Sequence, residues 1–165
     1  MRRRLSIGLV VLVAVVTSAT ALAQTSVGPV QSIGIATKAV KPAGRVFDLD
    51  LDRERGRLVW EADVASAGRE FEVRIHARSG KVLRVRRDRT PDPEMALLRS
   101  AKVTAVRAVR ISERAARGAA LEDLGLERQR GDVVWSADLG TGAGVEYDVV
   151  VDAVSGKVLR KVRDD

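Results

Sequence analysis

The segment Arg57-Leu58-Val59-Trp60-Glu61-Ala62-Asp63-Val64 recurs as Asp132-Val133-Val134-Trp135-Ser136-Ala137-Asp138-Leu139, and the chain's two tryptophans hold the same place in each. Further on, Ser79-Gly80-Lys81-Val82-Leu83-Arg84 returns unchanged as Ser155-Gly156-Lys157-Val158-Leu159-Arg160. Glu70-Phe71 precedes the first of these and Glu146-Tyr147 the second, with one inserted residue shifting the offset. Upstream, Ile33, Ile35, Lys38, Ala39 and Val40 match Val109, Ile111, Arg114, Ala115 and Ala116 in chemical type. Self-similarity on this scale means one supersecondary unit used twice, so whatever folds the first copy must fold the second. The copies are placed at residues 24–88 and 102–165, joined by a linker at 89–101. Arg89-Thr90-Pro91-Asp92-Pro93-Glu94 opens that linker with two prolines, which disfavour helix and remove backbone donors. Met95, Leu97 and Leu98 are read as a short helix or as packing between the copies.

Within a copy the hydrophobic period changes from helical to extended. Val30, Ile33, Ala36, Ala39 and Val40 fall near the i, i+3, i+4 spacing of an amphipathic helix that Pro42 and Gly44 end. Val106, Val109, Ile111 and Ala115 or Ala116 repeat the stripe, with Thr104 as N-cap and Gly118 near the end. The period then becomes two. Val46 or Phe47, Leu49 and Leu51 alternate with Asp48, Asp50 and Asp52, and Leu124 and Leu126 echo them. Glycine-bearing turns lead to strands at Leu58–Val64 and Val133–Leu139, at Glu70–Ala77 and its Tyr147, Val149, Val151 counterpart, and from Val82 and Val158 onward. The fold class expected is α+β: two tandem small modules, each one helix packed on an antiparallel sheet of about four strands. One helix covers one sheet face, leaving the other for solvent, the sister module or a partner.

The start of the chain reads differently. Met1-Arg2-Arg3-Arg4, the apolar run Leu5–Val16 and Ala21-Leu22-Ala23 match the n-region, h-region and cleavage site of a signal peptide, 1–23. Export is therefore expected, to the cell envelope or beyond. With no cysteine, disulfides, thiolate metal sites and a lipid-modified cysteine are excluded, and stability has to come from packing. The net charge of +7 includes the three arginines of the leader, so the remainder is only mildly basic and nucleic acid is not implied. Contact with an anionic envelope polymer or lipid headgroups fits that excess, and no stable membrane span is expected after cleavage.

Core roles are assigned to Trp60, Phe71, Trp135 and Tyr147, and turn roles to Gly80 and Gly156. Residue types that carry chemistry are few. His76, the lone histidine, is read as a turn-adjacent surface residue, and Ser79 and Ser155 as ordinary Ser-Gly turn chemistry. Asp48, Asp50, Asp52 and Glu54 form a carboxylate ladder that Glu122-Asp123-Leu124-Gly125-Leu126-Glu127 does not repeat, so a solvated strand face is expected rather than a cation site. Gly140-Thr141-Gly142-Ala143-Gly144 joins strand to strand and reads as a hairpin turn. Arg84, Arg86, Arg87 and Arg89, with Arg160, Lys161 and Arg163, read as charged edge strands. Neither a catalytic group, a metal site nor a cofactor is expected.

Copy two ends in Glu146, Tyr147, Val149, Val151, Asp152, Ala153, Ser155, Gly156, Lys157, Val158 and Leu159 behind Trp135. Copy one matches through Trp60, Glu70, Phe71, Val73, Ile75, Ala77, Ser79, Gly80, Lys81, Val82 and Leu83. This pattern resembles the PepSY domain, in which an aromatic-led strand is followed by a D-A-x-S-G-K-V-L-like ending. Copy one departs by carrying His76 where the pattern has Asp. The resemblance implies an exported, non-enzymatic binding module that modulates an extracytoplasmic peptidase, because similar modules occur in propeptides of secreted metallopeptidases. The alternative is an envelope-associated structural or sensory protein that contacts anionic cell-wall polymer.

Overall fold

A computed structural model describes residues 26–164. Their order is α1 (Pro29–Ala39), β1 (Arg45–Glu54), β2 (Arg57–Ser66), β3 (Arg69–His76), β4 (Val82–Arg87), a 3-10 helix (Pro93–Arg99), α2 (Ala105–Ala115), β5 (Ala120–Gln129), β6 (Asp132–Gly140), β7 (Glu146–Asp152) and β8 (Val158–Asp164). The segment read as a signal peptide lies outside the described residues.

Local chemistry explains the element ends. Pro29 sits at the start of α1, where its missing N–H costs nothing, and Gln31 Oε1 accepts from Gly28 N–H at 3.3 Å. Thr104 caps α2 by accepting Arg107 N–H on its Oγ1 at 3.3 Å. The two-residue turns Arg55-Gly56, Ala67-Gly68 and Arg130-Gly131 place both central residues at positive φ. That geometry matches the right-handed twist of the flanking strands, and glycine adopts it without a Cβ penalty. Strand β1 carries a bulge between Val46 and Asp48, which explains why Val46 and Phe47 are both buried where simple alternation would bury one. At the matching bulge of β5, between Leu121 and Asp123, the extra residue is Glu122.

The expectation of two separate sheets is corrected. The eight strands form one antiparallel sheet in the order β4-β3-β2-β1-β5-β6-β7-β8. The join is β1 against β5, with Asp48 opposite Gly125, Leu49 opposite Leu124 and Asp50 opposite Asp123. The physical reason is that each four-stranded unit would expose two edges with unpaired N–H and C=O groups, and joining at β1–β5 satisfies one edge from each. The antiparallel join relates the copies by an approximate two-fold axis normal to the sheet.

Both helices lie on one face. α1 packs on β1, β2 and β3, α2 packs on β5, β6 and β7, and the two helices touch. Their buried side chains include Ser32 and Ala36 on α1 and Ala105, Ala108 and Ser112 on α2, small enough for the helices to approach closely. A single hydrophobic cluster runs from Ile33 through Leu49 and Leu124 to Ala153, so the copies share one core. The linker belongs to that core. Leu98 and Ala101 are buried, the 3-10 helix packs on both β1 and β5, and Arg45 of β1 donates to the carbonyls of Leu98 (2.8 Å) and Ala101 (3.2 Å).

Candidate interaction surface

Because strand side chains alternate, the register assigns the opposite face of the sheet residue by residue. Trp60, Ala62 and Val64 of β2 point to the helices, which sends Val59, Glu61 and Asp63 to the other side. Val59, Val134 and Val150 are buried yet stand apart from the shared core, on this second face. No helix of the described residues covers it.

The halves of that face differ. In copy one, Arg74 on β3 reaches Glu54 of β1, Glu61 of β2 at 2.8 Å and Glu72 of its own strand at 3.0 Å. Arg86 of β4 extends the network to Glu72 and, at 3.5 Å, to Asp88. Burial pushes the Glu72 carboxyl upward, but the hydrogen bonds and charges of Arg86 and Arg74 outweigh it and hold the group below its ordinary range. In copy two the residue aligned with Arg74 is Val150, and Ser136 stands in place of Glu61. In this half Arg160 pairs with Asp148 at 2.6 Å. Burial first, then the charges of Glu146 and Asp138, raise the Glu122 carboxyl above its ordinary value. Its Oε1 is buried without a hydrogen-bond partner and packs over Gly140, where a Cβ would lie only 2.3 Å away.

The residues singled out by sequence fall as follows. Trp60 is 1 % exposed and Trp135 fully buried, and Phe71 and Tyr147 are half-buried against the same core. Each indole donates to a carbonyl just before its copy's helix: Trp60 Nε1 to Val27 at 2.8 Å, Trp135 Nε1 to Val103 at 2.9 Å. The Val27 and Val103 N–H groups donate to the carbonyls of Ala77 and Ala153, both at 2.9 Å. A segment of chain is thus clamped between tryptophan and turn in both copies. Gly80 and Gly156 hold φ of +71° and +78° in the turns that follow.

The turns also settle the part played by His76. Asp152 accepts from Ser155 N–H and Ser155 Oγ–H, both at 2.6 Å, and these bonds, with one from Val154 N–H, hold its carboxyl below the ordinary range. At the same place in copy one, His76 Nδ1 lies 2.9 Å from Ser79 Oγ and 3.3 Å from Ser79 N. An Nδ1 that accepts from the amide leaves the ring proton on Nε2, so His76 performs the acceptor task of the aspartate. A histidine beside a serine resembles a nucleophile pair, but here the serine is bonded into its own turn, with Lys81 N–H donating to its Oγ. Sequence reading had not brought His76 and Ser79 together. The signal that finds them is the aligned Asp152-x-x-Ser155 turn.

The Asp48, Asp50, Asp52 and Glu54 ladder lies on the uncovered face, with Asp48 and Asp50 half-buried at the central seam. Among the described residues no group of three or more His, Asp or Glu is placed to hold a metal. Gly140 to Gly144 fall at the hairpin from β6 to β7, closed by Thr141 N–H to Val145 O at 2.9 Å. Arg84, Arg86 and Arg87 lie on β4 and Arg160, Lys161 and Arg163 on β8, the outermost strands, while Arg89 falls just beyond β4.

The family model described as the peptidase propeptide and YPEB domain, PepSY, matches residues 33–86 and again 102–162. The chain belongs to the PepSY family. The two matches coincide with the two halves of the eight-stranded sheet, each with its own helix, tryptophan clamp and Ser-Gly turn. No curated protein matches the chain. Among solved structures, the crystal structure of a candidate lipoprotein from Clostridium difficile is similar, with 19% identity and a TM-score of 0.50 over 85% of this chain and 95% of that one. At that identity the likeness concerns the fold alone.

Proposed function

We propose that this protein acts outside the cytoplasm as a non-catalytic binding module that engages and restrains a peptidase. The supporting observation is the duplicated PepSY unit itself, found here as a shared-core scaffold with one sheet face and two sheet edges uncovered among the described residues. The family's description as a peptidase propeptide domain supports the peptidase as partner. A leader with the features of a signal peptide, together with the lipoprotein description of the structural neighbour, supports an envelope or secreted location. The groups that carry chemistry elsewhere are engaged in structure in this chain: His76 and Ser79 close a turn, and Arg74 gathers three carboxylates.

The test is direct. Purified chain beginning at residue 24, immobilised and exposed to culture supernatant, is expected to retain a secreted peptidase and to slow its cleavage of a model substrate at micromolar concentration. If no peptidase is retained or inhibited at that concentration, this reading fails.

A further inference from the structure

The two outer strands come from the same repeated sequence, yet they are finished differently. On β8, Lys161 folds back so that its Nζ donates to the Ala115 carbonyl at 2.9 Å and sits 5.0 Å from the centre of the Tyr147 ring. β8 also leaves Leu159 and Val162 49% and 39% exposed, so what sets it apart is this lysine, which reaches back over its own sheet and blunts the edge against further pairing. The aligned residue on β4 is Val85, 43% exposed, and Val82 and Leu83 beside it are 36% and 46% exposed. Every residue of β4 is exposed. The strand thus combines an outward row of backbone groups that no other strand of the sheet takes up with apolar side chains left in water.

The register shows what an added strand would meet. Arg84 and Arg86 pair with Arg74 and Glu72 and so lie on the uncovered face, while Val85 and Arg87 pair with Val73 and Phe71 and lie on the helix face. Side chains directly across an antiparallel pair attract when opposite in charge and repel when alike. A second copy adding β4 to β4, or β8 to β4, would set arginines and lysines against Arg84, Arg86 and Arg87, which disfavours self-pairing. The strand already paired to the inner side of β4 sets Glu72 opposite Arg86 and Val73 opposite Val85, an alternation an added strand can copy, while Arg74 stands opposite Arg84 and is itself held by Glu54, Glu61 and Glu72.

We propose that β4 is a docking edge for an extended acidic peptide segment, one that adds as a ninth strand with carboxylates alternating with apolar side chains. The inference rests on the binding-module reading above and specifies its surface and ligand chemistry. Backbone pairing provides the affinity, and the alternation against Arg84 and Val85 provides the selection. A flexible polyanion has no ladder of N–H and C=O groups to offer and would gain only the charge attraction.

The test uses the chain from residue 24 and a fluorescently labelled peptide of roughly eight residues, the length of a strand, alternating Glu with Val. Its counterpart alternates Lys with Val. The expected result is saturable binding of the acidic peptide alone, with hydrogen-exchange protection appearing in the amides of β4. The variant R84E, at an exposed position on the face that would meet the added carboxylates and keeping the fold by circular dichroism, is expected to weaken binding at least about tenfold. Failure of the acidic peptide to bind, protection confined to β8, or equal binding by R84E would each overturn the proposal. So would polyphosphate displacing the peptide without protecting β4, or dimerisation of the free chain through β4. No peptidase is present in this measurement. Capture of a peptidase alongside a negative peptide result therefore removes the edge proposal while leaving the binding-module reading in place.

Discussion

At the scale of single residues, the two tryptophans do most to tie each copy together. Trp135 is fully buried and holds the Val103 carbonyl, so Trp135→Ala removes a large apolar volume and leaves that carbonyl without its donor. The expected cost is roughly 3–5 kcal/mol, with a comparable loss for Trp60→Ala, read from urea unfolding. Equal midpoints for wild type and variant would show that the clamp contributes nothing. Glu122 acts in the opposite direction. Its raised carboxyl favours the protonated state in the fold, so its stabilising contribution is complete below the ordinary glutamate range and is lost as pH rises through the raised value. Glu122→Gln should therefore raise Tm at neutral pH, with the gap closing in acid; a gap that persists or widens in acid contradicts this account. The matching bulge carries Phe47, buried in the core, so equivalent backbone places accept opposite chemistry. A side chain at a bulge escapes strict alternation, and for that reason neither Phe47 nor Glu122 was legible from period alone.

Among the elements, helices and strands were legible because period and punctuation agree: the stripe of α1 ends before Pro42, Thr104 caps α2, and Gly56 and Gly131 close tight hairpins. The network around Arg74 was not, because its partners come from three strands and meet only when the sheet forms. Arg74→Ala would strip Glu61 and Glu72 of their shared cation in a partly buried setting. That places the expected loss between those of exposed and buried pairs, about 1–2 kcal/mol. The loss should shrink when pH falls far enough to protonate Glu72, whose depressed carboxyl contributes stability above its ordinary range and loses it as pH falls through the lowered value. Thermal melts of both proteins across acid pH measure it. A penalty that is the same at every pH would assign the loss to packing alone.

For the whole molecule, the duplication was readable and the joining of its halves was not. Backbone pairing between β1 and β5 uses N–H and C=O groups that every residue carries, so no side-chain signature announces it. The linker's packing was partly readable from Met95, Leu97 and Leu98, which form a 3-10 helix with Leu98 in the core, whereas the hold of Arg45 on the Leu98 and Ala101 carbonyls carried no sequence signal. One shared cluster implies one cooperative unfolding unit, so calorimetric and van't Hoff enthalpies should agree for the chain from residue 24. Two resolved transitions would mean that the halves melt independently.

The approximate two-fold axis at the β1–β5 seam makes the chain equivalent to a dimer whose protomers happen to be fused. Fragments severed between Asp88 and Thr90, mixed in solution, therefore retain every complementary surface needed to find each other. Complementation of this kind would make assembly depend on concentration, where the natural chain has made it independent.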